Sequence, residues 1–200
     1  MSEKNISADA PANKQEGQMG KWASYYDLTM TLMTLGREKN LRQSTIRLSQ
    51  MKPGDKVLEI GCGTGTLTMA AKEQVGPSGE AAGIDIALEM VAVARNKAAR
   101  KSVDVSFQEG SIASVPFPNN RFDVVMCSFM IFHMPEDVRK KGFTEIYRVL
   151  KPGGHLFIID TEPVDMLAPA LRQNSFTEIE TGKTKFMFTG ISYIRCKAVK

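Results

Sequence analysis

Apolar positions follow two different periods along the chain after residue 50. Five short apolar runs predict strands: Lys56–Ile60, Glu80–Ile84, Val103–Gln108, Phe122–Cys127 and His155–Asp160. Between these runs apolar residues recur at helical spacing and predict three helices: Leu67–Gln74, Leu88–Ala99 and Asp137–Val149. Strands that alternate with helices are typical of a parallel sheet covered by helices on both faces. We therefore expect residues 51–160 to form an α/β core that binds a ligand.

The residues before this core have a different pattern. Residues 1–18 are polar and lack the apolar central region of a secretory signal, so they predict a disordered tail. Residues 19–50 carry leucines at helical spacing, with a break at Gly36, and predict a helical cap. A chain of 200 residues suits one core, so residues 19–200 are expected to form a single domain.

The C-terminal segment, residues 161–200, is expected to form a helix followed by antiparallel strands. Three short stretches alternate apolar and polar residues: Thr177–Glu180, Lys185–Phe188 and Ile191–Cys196. Gly182 and Gly190 predict the turns that join these stretches. The strands are expected to close one edge of the sheet.

Composition and charge exclude several classes of protein. The chain is 42% hydrophobic and 24% charged, and no apolar run approaches the ~20 residues that span a bilayer, so we expect a cytoplasmic protein without an integral membrane segment. The net charge of +4 comes from scattered basic residues without interleaved aromatics, so no nucleic-acid partner is expected. The three cysteines, Cys62, Cys127 and Cys196, show no metal-ligand spacing, so no metal is expected. Composition does not constrain the oligomeric state.

A glycine-rich loop follows the first predicted strand, in the segment VLEIGCGTGTLTMAA. Dinucleotide-binding loops need a third glycine where Thr66 or Thr68 stands in this chain, and a P-loop needs a lysine after its glycines. Both phosphate-binding patterns are therefore disfavoured. Because three glycines in five residues cost backbone entropy, a bare turn without a ligand is the weaker interpretation.

Two acidic residues at predicted strand ends indicate what the loop holds. Glu59 lies two residues before Gly61, where a carboxylate would repel a pyrophosphate and suits an ammonium group. Asp85 ends the second strand, where a carboxylate can accept hydrogen bonds from both ribose hydroxyls. A ligand with a ribose, an amino group, a carboxylate and no phosphate is S-adenosylmethionine. The alternative for Glu59 is a partner of the turn or of the helix dipole.

Four sequence blocks in order resemble a class I S-adenosylmethionine-dependent methyltransferase: VLEIGCGTG, GIDI, VPFPNNRFDVV and RVLKPGG. The upstream segment YYDLTMTLMTLGREKNLR is similar to the opening segment of the ubiquinone/menaquinone-biosynthesis C-methyltransferases, in the methyltransferase type 11 group. The resemblance implies a Rossmann-like, doubly wound fold with a seven-stranded, mostly parallel sheet and an antiparallel C-terminal strand. It also implies methyl transfer to a small-molecule acceptor, quinone-like or aromatic.

The resemblance carries over a set of cofactor-binding residues by position. Around the methionine part it places Glu59, Gly61, Cys62, Gly63 and Gly65, with Cys127 and Ser128 beneath the methionine and adenosine. Around the adenosine it places Asp85, Ile86, Ser111 and Ile112. Tyr25 and Tyr26 are expected either to cover the cofactor or to pack the N-terminal helix on the core.

The sequence departs from this family on the acceptor side. Quinone C-methyltransferases typically carry Arg-Asn after the fourth strand, where this chain has Phe132 and His133. Because an imidazole accepts a proton near neutral pH, His133 is the candidate general base, and packing between Phe132 and Met134 is the alternative. Only about forty residues follow Asp160, which favours a small acceptor or an open site.

Two other functions stay open at this point. A non-catalytic partner subunit that binds S-adenosylmethionine would carry the same motifs. A nucleotide-dependent oxidoreductase is disfavoured because the third glycine is missing.

Overall fold

The structure, a computed structural model, describes residues 38–186 and 189–200. The helices are α1 (Glu38–Ser49), α2 (Thr66–Val75), α3 (Leu88–Lys101), α4 (Glu136–Val149) and α5 (Ala168–Gln173). The strands are β1 (Lys56–Ile60), β2 (Glu80–Asp85), β3 (Ser106–Glu109), β4 (Phe122–Ser128), β5 (Leu150–Asp160), β6 (Phe176–Phe186) and β7 (Thr189–Ala198). Short 3-10 helices lie at Ile131–His133 and Val164–Leu167. The predicted tail, the first part of the helical cap, Tyr25 and Tyr26 lie outside the described residues.

The seven strands form one sheet in the order β3-β2-β1-β4-β5-β7-β6. Strands β1 to β5 are parallel, β7 is antiparallel to β5, and β6 is antiparallel to β7. This topology confirms the predicted Rossmann-like α/β fold with antiparallel C-terminal strands. The strand order reverses between β1 and β4, and a crevice opens at such a reversal beyond the carboxyl ends of the strands.

Both faces of the central strands are buried, which explains their nearly continuous apolar runs. On one face Leu58 of β1 belongs to the same apolar cluster as Phe143 and Ile146 of α4. On the other face Val57 packs in a cluster with Ala71 of α2. Successive residues of β1 therefore point to opposite helical layers and hold the carboxyl end of the strand in place.

Helix α1 is the described part of the predicted cap, and its C-terminal end is attached to the sheet. His155 Nε2 of β5 donates a hydrogen bond to the Ser49 carbonyl oxygen at 2.6 Å. Arg195 Nη1 of β7 donates to the Leu48 carbonyl oxygen at 2.9 Å. These two contacts satisfy carbonyl groups that the last turn of a helix leaves without partners.

Within the predicted core, two element boundaries differ from the prediction by three residues or more. β3 begins at Ser106 rather than at Val103, because the Val103 amide donates to the Ala98 carbonyl oxygen in the C-terminal cap of α3. β5 begins at Leu150, well before His155, because Leu150 pairs with Phe122 ahead of an irregularity in the ladder.

The prediction of turns at Gly182 and Gly190 was wrong. Gly182 lies inside β6 opposite Tyr193, and a Cβ atom there would overlap the Tyr193 ring. Gly190 lies in β7 and pairs with Lys185. Residues 177–186 therefore form part of one long strand, in which the glycine makes room for a cross-strand aromatic side chain.

Candidate active site

The glycine loop at the carboxyl end of β1 contains glycines with different roles. Gly63 has φ +51°, and a Cβ atom there would meet nothing within 4 Å, so the loop faces open space at this residue. Gly65 has φ +75°, and a Cβ atom there would overlap the Phe107 ring and lie 2.9 Å from Ala94 Cβ. Gly63 therefore leaves room for a ligand, whereas Gly65 lets the loop pack on β3 and α3. Gly61 lies beneath the Met130 side chain.

Glu59 is a buried carboxyl group at the end of β1, with 2% of the residue exposed. The Thr68 hydroxyl donates to Glu59 Oε2 at 2.5 Å, and the Ser128 hydroxyl donates to Oε1 at 3.2 Å. Burial raises the pKa of Glu59 to about 7, with a further rise from the charge of Asp85, while the two hydroxyls act in the opposite direction. A cationic ligand group, such as an ammonium, would favour the ionised form of this carboxyl.

Asp85 connects the glycine loop to the next helix. Its Oδ2 atom accepts a hydrogen bond from the Gly63 amide at 2.8 Å, and Oδ1 accepts from the Ala87 amide at 3.0 Å. Each carboxylate oxygen has a second lone pair available to a ribose hydroxyl. Ile86 follows directly with 73% of its surface exposed, an apolar surface beside the carboxylate. This combination of Glu59, an open loop, Asp85 and Ile86 fits S-adenosylmethionine.

Ser111 and Ile112 follow β3 in a tight turn. The Ser111 hydroxyl accepts a hydrogen bond from the Ala113 amide at 3.2 Å and remains half-buried. Ile112 is 5% exposed and packs against Gly142 of α4, where a Cβ atom would lie 2.6 Å from Ile112 Cγ1. Ile112 therefore belongs mainly to the core, and Ser111 offers the polar group of this turn.

Cys62 and Cys127, the two cysteines predicted to lie at the cofactor site, are buried thiols. Burial raises the pKa of Cys62 and of Cys127, and the charge of Glu59 raises both further. Both side chains are therefore protonated at neutral pH and are weak nucleophiles. Neither thiol is activated for covalent chemistry.

The segment after β4 carries His133. Phe129 has φ +53° and its amide donates to the Ile159 carbonyl oxygen at 2.9 Å, which turns the chain over the glycine loop. Met130 then lies against Gly61, and Ile131 is fully buried. His133 is exposed, and within the described part of the chain its ring makes no hydrogen bond. It is not packed as a core residue would be.

Several contacts at this edge were missed from the sequence. Thr68 donates a hydrogen bond to Glu59 from the first turn of α2, and Met130 covers Gly61 from the segment after β4. Lys97 Nζ of α3 donates to the Thr64 hydroxyl at 2.9 Å and to the Thr66 hydroxyl at 2.8 Å. The only signal in the sequence was the run of hydroxyl residues in GTGTLT, which does not specify these partners.

A groove of about 680 Å³ lies elsewhere, between α1 and α2. Its lining includes Lys39, Arg42, Arg47 and Lys101, and it contains none of the predicted site residues. The chemistry of the carboxyl edge, rather than this groove, therefore identifies the candidate site. In the described ranges no group of three His, Cys, Asp or Glu side chains is placed to hold a metal, and no helix has the length and apolarity to cross a membrane.

The fold and the carboxyl-edge site together define a class I S-adenosylmethionine-dependent methyltransferase. A family model described as a methyltransferase domain matches residues 57–154. A crystal structure of a SAM-dependent methyltransferase from Aquifex aeolicus superposes with a TM-score of 0.68 at 23% identity, covering 79% of this chain and 89% of that one. At this identity the superposition supports the fold alone.

Curated relatives identify the family more closely. The ubiquinone/menaquinone biosynthesis C-methyltransferase of Burkholderia orbicola is 33% identical over 94% of this chain and 77% of the relative. The corresponding enzyme of Pseudomonas paraeruginosa is 37% identical over 78% of this chain and 61% of the relative. A demethylmenaquinone methyltransferase of Bacillus cytotoxicus is 32% identical over 74% of this chain and 62% of the relative. The chain thus spans less than two thirds of the length of these last two relatives.

This chain belongs to the ubiquinone/menaquinone biosynthesis C-methyltransferase family, and its cofactor is S-adenosylmethionine. The family resemblance and the cofactor predicted from the sequence are thereby confirmed. Membership of a methyltransferase family also sets the oxidoreductase alternative aside.

Proposed function

We propose that the protein methylates a ring carbon of a small quinone-like acceptor in its hydroxylated form. The observation that carries the methyl-transfer part of this proposal is Glu59, buried between the Thr68 and Ser128 hydroxyls beside an open glycine loop, where it suits the cofactor ammonium. The relatives named for ubiquinone, menaquinone and demethylmenaquinone support the choice of acceptor. The finer identity of the ring, a cytoplasmic location and the lack of a nucleic-acid partner stay predictions.

The cofactor half of the site has a residue for each part of S-adenosylmethionine. Glu59 would pair with the ammonium group, Asp85 would accept bonds from the ribose hydroxyls, and Ile86 would cover the adenine. When bound, S-adenosylmethionine supplies a methyl group activated by a positively charged sulfur.

The other predicted cofactor residues shape this half of the site. Gly63 leaves room in the loop, and Ser111 offers a hydroxyl near the adenine end. Cys62, Cys127 and Ile112 form the buried floor beneath. Gly61, Gly65 and Ser128 hold the loop and Glu59 in position.

The acceptor half of the site lies over the ends of β4 and β5. Orientation of the acceptor and exclusion of water contribute several kcal/mol, up to ~7–11, in reactions of this kind. Met130 provides an apolar surface above Gly61. His133, exposed three residues later, is our candidate for the group that accepts a proton from the acceptor hydroxyl.

Calorimetric titration with S-adenosylhomocysteine, and with NADH in parallel, tests the cofactor assignment. We expect micromolar binding of S-adenosylhomocysteine alone, weakened in Asp85→Asn and unchanged in Asp104→Asn, which alters an exposed aspartate away from the crevice. Turnover is then measured with isotopically labelled S-adenosylmethionine and a reduced, demethylated naphthoquinone, and mass spectrometry locates the new methyl group. Tight cofactor binding with no methylation of any ring would instead support the non-catalytic partner subunit.

A further inference from the structure

Asp160, the last residue of β5, carries a buried carboxylate with one unused oxygen. The residue is 3% exposed. Its Oδ1 atom accepts a hydrogen bond from the Thr161 amide at 2.8 Å and lies 3.4 Å from the Thr161 hydroxyl and from the Glu162 amide. Within residues 38–186 and 189–200, no hydrogen bond reaches Oδ2. An unpaired buried carboxylate oxygen is costly and rare in native proteins.

The neighbouring polar groups are already occupied. Ser192 of β7 stands directly across from Asp160 in the antiparallel ladder, on the same face of the sheet. Its hydroxyl donates to the Glu162 carbonyl oxygen and accepts from the Val164 amide at 3.1 Å. No ion pair among the described residues includes Asp160. The fold therefore satisfies one oxygen of this carboxylate and leaves the other without a donor.

The position of Asp160 places it in the acceptor half of the crevice. Ile60 of β1 pairs with Cys127 of β4, which in turn pairs with Ile158 of β5. At a strand spacing of about 4.8 Å, the ends of β1 and β5 lie about 10 Å apart at the same edge of the sheet. That distance leaves room for an aromatic ring beside the methionine part of the cofactor.

The chain between these strands supports the same placement. Met130 lies against the glycine loop at Gly61, and Phe129 is hydrogen-bonded to Ile159, the residue before Asp160. Glu59 and Asp85 serve the cofactor over β1 and β2. Neither of these two carboxyl groups lies at the end of β5, so the assigned cofactor residues leave the Asp160 carboxylate without a role.

We propose that Asp160 Oδ2 accepts a hydrogen bond from a hydroxyl group of the methyl acceptor, which makes Asp160 a specificity-determining residue. An ionised carboxylate offers lone pairs and no proton, so it attracts a hydroxyl and repels a carbonyl or ether oxygen at the same place. The residue thus favours a hydroxylated ring over the oxidised or methylated ring of the same shape. This inference rests on the proposed function, because it takes the acceptor to be a ring that binds at this edge.

The test compares the binding of two ring ligands by calorimetry in the presence of saturating S-adenosylhomocysteine. The ligands are a para-dihydroxynaphthalene and its dimethyl ether. Binding affinities are compared instead of methylation rates, because the ring of the ether is less reactive than that of the diol. We expect wild type to prefer the diol by at least tenfold, since hydrogen bonds to charged groups are worth about that much in affinity. In Asp160→Asn the preference for the diol should fall by about tenfold. The asparagine amide can donate a hydrogen bond to the ether oxygen as well as to the hydroxyl oxygen.

Two comparisons separate this role from a purely structural one. The Asp160→Asn protein should keep wild-type affinity for S-adenosylhomocysteine and at least the wild-type melting temperature, since it loses an unpaired buried charge. Asp165→Asn, which neutralises an exposed aspartate five residues later, should leave the diol preference unchanged. Comparing this affinity ratio between wild type and Asp160→Asn cancels any steric effect of the ether methyl groups that both proteins share.

An unchanged diol preference in Asp160→Asn would overturn the inference, as would a wild-type protein that binds diol and ether equally. The proposed function is tested separately by methylation of the diol with S-adenosylmethionine. Methylation with an unchanged diol preference in Asp160→Asn would refute the role of Asp160 alone. A preference that depends on Asp160 without methylation of any ring would refute the proposed function alone.

Discussion

Replacing Glu59 with glutamine is expected to stabilise the protein above neutral pH and to weaken cofactor binding. The Glu59 side chain is buried, and its pKa rises from an ordinary 4.5 to about 7. Because the folded pKa lies above the unfolded one, the carboxyl contributes most stability at acidic pH, and this contribution is lost as the pH rises towards and through 7. Glutamine keeps the shape and the hydrogen-bonding capacity towards Thr68 and Ser128 and has no charge to bury.

The magnitude follows from the two pKa values. One pKa unit corresponds to about 1.4 kcal/mol, so the buried carboxylate costs roughly 3 kcal/mol at pH 8 and under 1 kcal/mol at pH 5. The stability of Glu59→Gln relative to wild type should therefore increase by about 2–3 kcal/mol between pH 5 and pH 8. For a protein of this size that difference corresponds to about 5–10 °C in melting temperature.

Urea unfolding of the ligand-free protein at both pH values measures this difference. The matched control is Glu73→Gln, which removes the same charge from an exposed position on α2. If Glu59→Gln and wild type differ by the same amount at pH 5 and pH 8, the raised pKa of Glu59 is refuted.

The same substitution has a second readout in cofactor binding. Ionised Glu59 would bind the ammonium group of S-adenosylhomocysteine, so wild-type affinity should fall by up to tenfold per pH unit below about 7. The Glu59→Gln protein should bind more weakly at pH 8 and lose this pH dependence. Equal affinity in both proteins at pH 8 would show that Glu59 is only a partner of Thr68 and Ser128.

Three further predictions concern the same edge of the sheet. Asp85→Ala should weaken S-adenosylhomocysteine binding by about ten- to a thousandfold in calorimetry, since it removes bonds to the ribose and to the Gly63 amide, and wild-type affinity would refute the ribose assignment. His133→Ala should lower turnover more than cofactor affinity, and a wild-type rate on the true acceptor would exclude a role as base. Gly65→Ala should lower the free energy of unfolding by at least ~2 kcal/mol more than Gly63→Ala, because only the former overlaps the Phe107 ring; equal losses in urea unfolding would contradict the separate roles of the two glycines.

Local pattern in the sequence determined most of the fold. Strands such as Phe122–Ser128 are buried on both faces, so they appear as continuous apolar runs whatever their partners are. The predictions failed where a distant contact decides the conformation of the chain. Val103 leaves the sheet for the cap of α3, and Gly182 belongs to a strand because the Tyr193 ring lies over it.

The sequence by itself indicated which cofactor the protein uses, because Glu59 with the glycine loop and Asp85 each belong to a short local motif at the end of a predicted strand. The tertiary structure decided the properties of these groups. The pKa of Glu59 depends on burial and on a hydroxyl donor from β4, 69 residues away along the chain. The unused oxygen of Asp160 depends on the Ser192 hydroxyl being committed to other partners. Desolvation and hydrogen bonding between distant residues arise only when the strands and helices pack together, so no local pattern encodes them.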